Sequence, residues 1–150
     1  AKEVSVLVGK WSGPMTIQSP ARKEPMKITM SLEIQPIKDS DKFSYKLTYE
    51  KQPTRDYVLQ PIDPSKGHWQ VDEQNGIKLD AFWNGAGFTS VFTVQGTTIV
   101  TTERLEGGKL HWENVSYAAK AFAETGNAQG APPVSTFRVL SVQKAILSKK

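Results

Sequence analysis

The stretch "VLVGKWSGPM" at residues 6–15 sets one bulky indole, Trp11, between Gly9 and Gly13 in a run that otherwise reads as extended chain. Reading 9–18 with a period of two puts Trp11, Gly13, Met15 and Ile17 on one face. Lys10, Ser12, Thr16 and Gln18 fall on the other. Glycines around a large side chain suit a strand that coils sharply and needs room for the ring.

Outward from this strand the same alternation recurs after almost every turn signal. "SPARKEP" at 19–25 ends the first strand, and a second sets Ile28, Met30, Leu32 and Ile34 against Lys27, Thr29, Ser31 and Glu33. A third carries Phe43, Tyr45, Leu47 and Tyr49 on its apolar face. "RDYVLQPI" at 55–62 is a weaker fourth, because Pro61 has no N–H to give a ladder. Trp69 and Val71 mark a fifth, and Asn75-Gly76 is a strong hairpin signal leading into a sixth with Ile77, Leu79, Ala81 and Trp83 inside. Phe88, Phe92 and Val94 mark a seventh, "QG" turns into an eighth, and Leu110 and Trp112 mark a ninth. The last strand, over about 134–147, shows no clean face. Only "KAFAETGNAQGAPP" at 120–133 departs from the rhythm, as a long connection of the mobile or functional kind, and one that could gate an open end.

Strands broken by turns every eight to twelve residues predict an all-β fold. About ten of them, joined mostly by hairpins, predict an antiparallel up-and-down β-barrel, since closure removes the exposed edges of a meander. The whole chain, 1–150, reads as one β-barrel domain.

"VGKWSG" at 8–13 resembles the Gly-x-Trp signature of the calycin superfamily, which includes lipocalins and fatty-acid-binding proteins. That resemblance implies a barrel whose first strand brings Trp11 into a closed end, with a basic side chain of the last strand across the ring; Arg138 is the Arg available there. A guanidinium over an indole gains a cation–π contact. The first connection is too short for the lid of fatty-acid-binding proteins, so the nearest likeness is a lidless, nitrobindin-like ten-stranded form. That branch binds haem through a C-terminal His, and no His follows His111, so haem does not carry over.

The composition narrows the chemistry. The 150 residues include no Cys and two His, which removes disulfides, Cys-held zinc and thiol nucleophiles. The net charge is +4, but the basic residues are scattered, which argues against a nucleic-acid surface. No apolar run approaches the length of a membrane span. A chain opening at Ala1 reads as a mature exported product or a trimmed one, with a lean towards a secreted or periplasmic location. His68 and His111 share faces with polar residues and read as solvated. Asn114-Val115-Ser116 matches a glycosylation acceptor by accident of a strand. No metal or cofactor pattern is present, and no catalytic motif.

What stands out is the inward aromatic set, from which Tyr45, Tyr49, Trp69, Trp83, Phe92 and Trp112 are expected to contact a ligand, with Tyr57 and Phe88 nearby. A ten-stranded barrel is wider than its side chains readily fill, so these faces tend to line a cavity. The expected function is binding of a small hydrophobic or amphipathic molecule without turnover. Two alternatives stay open: an isomerase- or cyclase-type enzyme using an interior Glu103 or Tyr45, with Asn114 alongside, and a filled structural or interaction barrel.

Overall fold

A meander of short strands can satisfy its backbone completely only if its first and last strands also pair. In the computed structural model, which describes residues 3–150, they do. The strands are β1 (Gly9–Gln18), β2 (Met26–Pro36), β3 (Phe43–Tyr49), β4 (Arg55–Asp63), β5 (His68–Asp72) and β6 (Lys78–Trp83). They continue as β7 (Phe88–Val94), β8 (Thr97–Glu106), β9 (Lys109–Ala118), β10 (Ala123–Gly126), β11 (Pro133–Thr136) and β12 (Val139–Lys149). β1 to β9 pair in sequence order, and β12 lies between β9 and β1, closing a ten-stranded antiparallel barrel. β10 and β11 form a separate two-stranded ribbon. The expected loop over 120–133 is therefore partly a hairpin, and the expected last strand is two strands with a break before Val139. No helix among the described residues is long and apolar enough to cross a membrane.

Antiparallel hairpins give the barrel two unlike ends. One end carries the starts of β1, β3, β5, β7 and β9 together with the finish of β12, and it is packed solid. A 3-10 turn at Val4–Leu7 plugs it, with Val4 and Leu7 fully buried. The Trp11 indole Nε1 donates to the Leu7 carbonyl at 2.9 Å, tying the plug to β1. Above the plug, Trp69 packs between Phe43 and Phe88, with ring centroids 6.3 and 5.7 Å away. Leu110 and Leu147 complete this floor.

The glycines around Trp11 answer to the seam between β1 and β12. A Cβ on Gly13 would stand 2.2 Å from the Ile146 carbonyl oxygen, so the two backbones approach as only glycine allows. Gly9 has a φ of +144° and leaves space for the Lys149 side chain. That lysine, not Arg138, lies over Trp11, with its Nζ 5.6 Å from the ring centroid. Arg138 is at the far end of the barrel, its guanidinium 4.1 Å from the centroid of Phe122. The reason is direction: β12 runs antiparallel to β1, so its last residues, not its first, reach the start of β1.

β12 hides its faces for two reasons. Its register against β9 shifts between Val139 and Ser141, which reverses the alternation at its start. Beyond the shift, Ala145 and Leu147 are buried while Ile146 on the outside is half exposed. Ile77 and Val94, expected inside, are also largely exposed, because both sit where the strands run out at the open end.

Replacing Gly13 by Ala should cost about 1–3 kcal/mol, since a backbone rather than a side chain has to move. Leu7→Ala should cost about 2–5 kcal/mol by emptying the plug. Urea unfolding followed by tryptophan fluorescence checks both, and two midpoints equal to that of the parent would contradict the seam and plug described.

Candidate functional site

Ten strands enclose more width than the side chains of one end can fill at the other. Above the aromatic floor the barrel holds a cavity of about 270 Å³, open at the opposite end. Its wall is built from alternate positions of β3 to β9, so a single register decides which side chains reach it. Tyr45, Leu47 and Tyr49 come from β3, Phe88, Ser90 and Phe92 from β7, and Ile99, Thr101 and Glu103 from β8.

Of the six rings expected at a ligand site, Tyr45, Tyr49, Phe92 and Trp112 line this cavity. Trp69 and Trp83 do not. Both pack edge-on against Phe88, at 5.7 and 5.3 Å between centroids, and belong to the floor and its edge. Tyr57 and Phe88 line the wall as well. Tyr49 meets Trp112 edge-to-face at 6.3 Å, so the wall of the cavity is itself a packed aromatic pair.

Glu103 is the chemical centre of the site. It is 3% exposed, and the Tyr45 hydroxyl donates to its Oε2 at 2.9 Å across the barrel. Two neighbours fix its backbone. Gly87 approaches so closely that a Cβ there would stand 2.1 Å from the Glu103 carbonyl oxygen. The Asn84 amide Nδ2 donates to that same oxygen at 3.3 Å. Loss of water pushes the Glu103 carboxyl up to about 7, with the Tyr45 hydrogen bond opposing part of the rise. Burial, and then the Glu103 charge, push the Tyr45 hydroxyl well above its ordinary value. Tyr49 is pushed up to about 12, also by burial, with Arg55 acting against it.

Beside Glu103, the Asn114 Nδ2 donates to Thr101 Oγ1 at 3.2 Å, a cross-strand pair on the inner face. The mouth carries two opposite charges, Arg55 and Glu73. The Arg55 guanidinium lies 5.0 Å from the Tyr49 ring centroid. His68 and His111 stand outside the wall; His68 Nε2 meets Asp80 Oδ1 on the partly exposed surface. No group of three or more His, Asp or Glu among the described residues is placed to hold a metal ion.

Residues 119–138 leave from the open end, between β9 and β12. None of them lines the cavity. Phe137 packs on Tyr117, 5.2 Å between centroids, and Tyr117 alternates with the inward positions of β9, so the base of the ribbon lies against the outside of the wall. Sequence reasoning missed Arg55, Glu73, Ser90 and Thr101. Ser90 and Thr101 had a signal, since they share parity with Phe88 and Glu103 on their own strands. Arg55 and Glu73 sit at strand ends, where alternation gives no direction.

No family model and no curated protein matches the chain. Among solved structures it is similar to a protein of unknown function from the DUF3598 family of Nostoc punctiforme, with a TM-score of 0.71 at 10% identity. That likeness covers 98% of this chain and 49% of the other, so the chain spans about half the length of that protein. At this identity the likeness is one of fold.

The raised Glu103 value has a sign that can be measured. The folded protein keeps the proton from about pH 4.5 to about 7 while the unfolded chain has lost it. Stability from this group is thus complete below about pH 4.5, falls as pH rises from there to about 7, and is level above it. Glu103→Gln should flatten that loss and be more stable than the parent at pH 8 by about 3 kcal/mol. Urea midpoints at pH 5 and pH 8 check it; equal pH dependence in parent and variant would contradict it.

Proposed function

We propose that this protein binds a small, mainly apolar molecule with one polar end inside the barrel, without turning it over. The observation that carries this reading is the open cavity of about 270 Å³, walled by aromatic side chains and holding one buried carboxyl group. Its volume lies just under the low end of ordinary ligand sites, about 300 Å³, so the molecule is small. Flat rings offer contact area at little entropic cost, and a few polar atoms then set orientation. The calycin-like Gly-x-Trp strand supports the same reading, since it suits a barrel with one closed and one open end. The unlike ends give the molecule a single way in.

A second reading rests on Glu103 itself. A carboxyl group that titrates near 7, hydrogen-bonded to Tyr45, has the proton affinity of a general base working at neutral pH. Binding is preferred because Glu103 stands as a lone acid: among the described residues no Lys, Arg or His is paired with it to steady a developing negative charge.

Intrinsic tryptophan fluorescence should change saturably on titration with benzyl alcohol or 2-phenylethanol. Trp112→Ala should weaken binding about tenfold by removing a wall ring. Trp83→Ala, at the edge of the floor, should change affinity less than threefold. Failure of both probes to give a saturable change, with the parent folded by circular dichroism, overturns the reading.

A further inference from the structure

The donors of the inner cavity are neutral ones, the hydroxyls of Tyr49, Tyr57, Ser90 and Thr101 and one N–H of Asn114, and no cation stands among them below the mouth. The Tyr45 hydroxyl spends its proton on Glu103, and the Asn114 amide donates to Thr101. Among the described residues no Lys, Arg or His forms an ion pair with Glu103. One of its oxygens accepts from Tyr45, and among the described residues no hydrogen bond is formed by the other. Nor is that second oxygen sealed away, since no buried side-chain oxygen among the described residues lacks a partner. It therefore faces the cavity that Glu103 lines.

Charge is arranged the same way. Arg55 and Glu73 offset each other at the mouth, and from Thr97 at the rim to Glu103 is roughly 20 Å of strand. Arg55 is already stacked on Tyr49. Below the mouth, the ionised carboxylate is the one full charge that the described residues place on the cavity wall, a wall it shares with the rings of Tyr45, Tyr49 and Trp112. A buried carboxylate without a cation is costly, and the negative faces of aromatic rings attract cations.

We infer that the polar end of the ligand is a cation: the cavity takes a small organic ammonium, paired with Glu103 and held against the rings of Tyr45, Tyr49 and Trp112. This rests on the binding reading above and names its ligand class. A carboxylate ligand would meet Glu103 as a like charge. An alcohol would gain one hydrogen bond and leave the carboxylate unpaired.

The same geometry makes binding depend on pH through Glu103. The groups that face it or share its cavity are Tyr45 and Tyr49 on β3, Arg55 and Tyr57 on β4, and Glu73 after β5. Tyr45, Tyr49 and Tyr57 are all pushed upward, away from neutral pH. β9 faces it with Trp112 and Asn114, and β7 with Phe88 and Ser90, none of which carries charge. His111, next to Trp112, alternates to the outer face.

The test compares three probes of one shape: 2-phenylethylamine, 2-phenylethanol and phenylacetate, titrated calorimetrically into the full chain at pH 8. The amine should bind at least tenfold more tightly than either of the others, and Glu103→Gln should erase that preference, so that amine and alcohol bind alike in the variant. Between pH 8 and pH 6 the affinity of the parent for the amine should fall about tenfold, with proton release visible as a buffer-dependent enthalpy, while the alcohol is unaffected. If Glu103→Gln does not fold, this pH arm on the parent decides. Equal binding of amine and alcohol at pH 8, or a preference that survives in Glu103→Gln, overturns the cation and leaves the binding cavity standing. Binding of none of the three overturns both.

Discussion

Everything in this molecule depends on joining β1 to β12. Without that seam the meander would have two long exposed edges, each with a row of unpaired N–H and C=O groups. Closing it demands that two backbones meet at Gly13 more tightly than a side chain allows. It also brings the end of β12 across the start of β1, where Lys149 covers Trp11. The N-terminal turn then has a finished ring to plug, and Trp11 supplies the hydrogen bond that holds it there. Seam, plug and floor are one device at one end of the barrel.

The opposite end follows from the floor. Trp69, Phe43 and Phe88 consume the largest available side chains at the closed end, and the remaining width is left unfilled. Rings that line this space are held by each other, as Tyr49 and Trp112 are, and so present fixed walls rather than collapsing inward. Two pairs of polar residues meet on the wall, Tyr45 with Glu103 and Asn114 with Thr101. A buried carboxyl group in such a setting costs stability whenever it is ionised. An apolar side chain would serve the core better, and that is the physical ground for reading Glu103 as part of a binding site. Its backbone is clamped by Gly87 and by the Asn84 side-chain amide from the β6–β7 turn, so the main chain that carries the carboxyl group is held in place.

Much of the fold was legible residue by residue. β1 to β3 alternate apolar and polar side chains over their length, and Asn75-Gly76 marks a hairpin, so strand identity and inner face could be read directly. The legible part of the site is the part that shares this alternation: Tyr45, Tyr49, Phe92, Trp112 and Glu103 all lie on inner faces. β12 resisted because a register shift at its start breaks the alternation. β10 and β11 resisted because Gly, Asn and Pro dominate between them, and a ribbon exposed on both sides has no buried face to mark it.

What the sequence determined by itself is the class of fold, the faces of most strands and the set of aromatic residues turned inward, because each of these is a local property of period two. What only the tertiary structure decided is depth along the barrel axis. Alternation says that Trp69, Trp83 and Trp112 all point in; it does not say that Trp69 and Trp83 lie with the floor while Trp112 walls the cavity. Nor does it choose which basic residue reaches Trp11, since that depends on which end of an antiparallel neighbour arrives there. The meeting of Tyr45 and Glu103, far apart in sequence and on opposite sides of the ring, exists only once the barrel has closed.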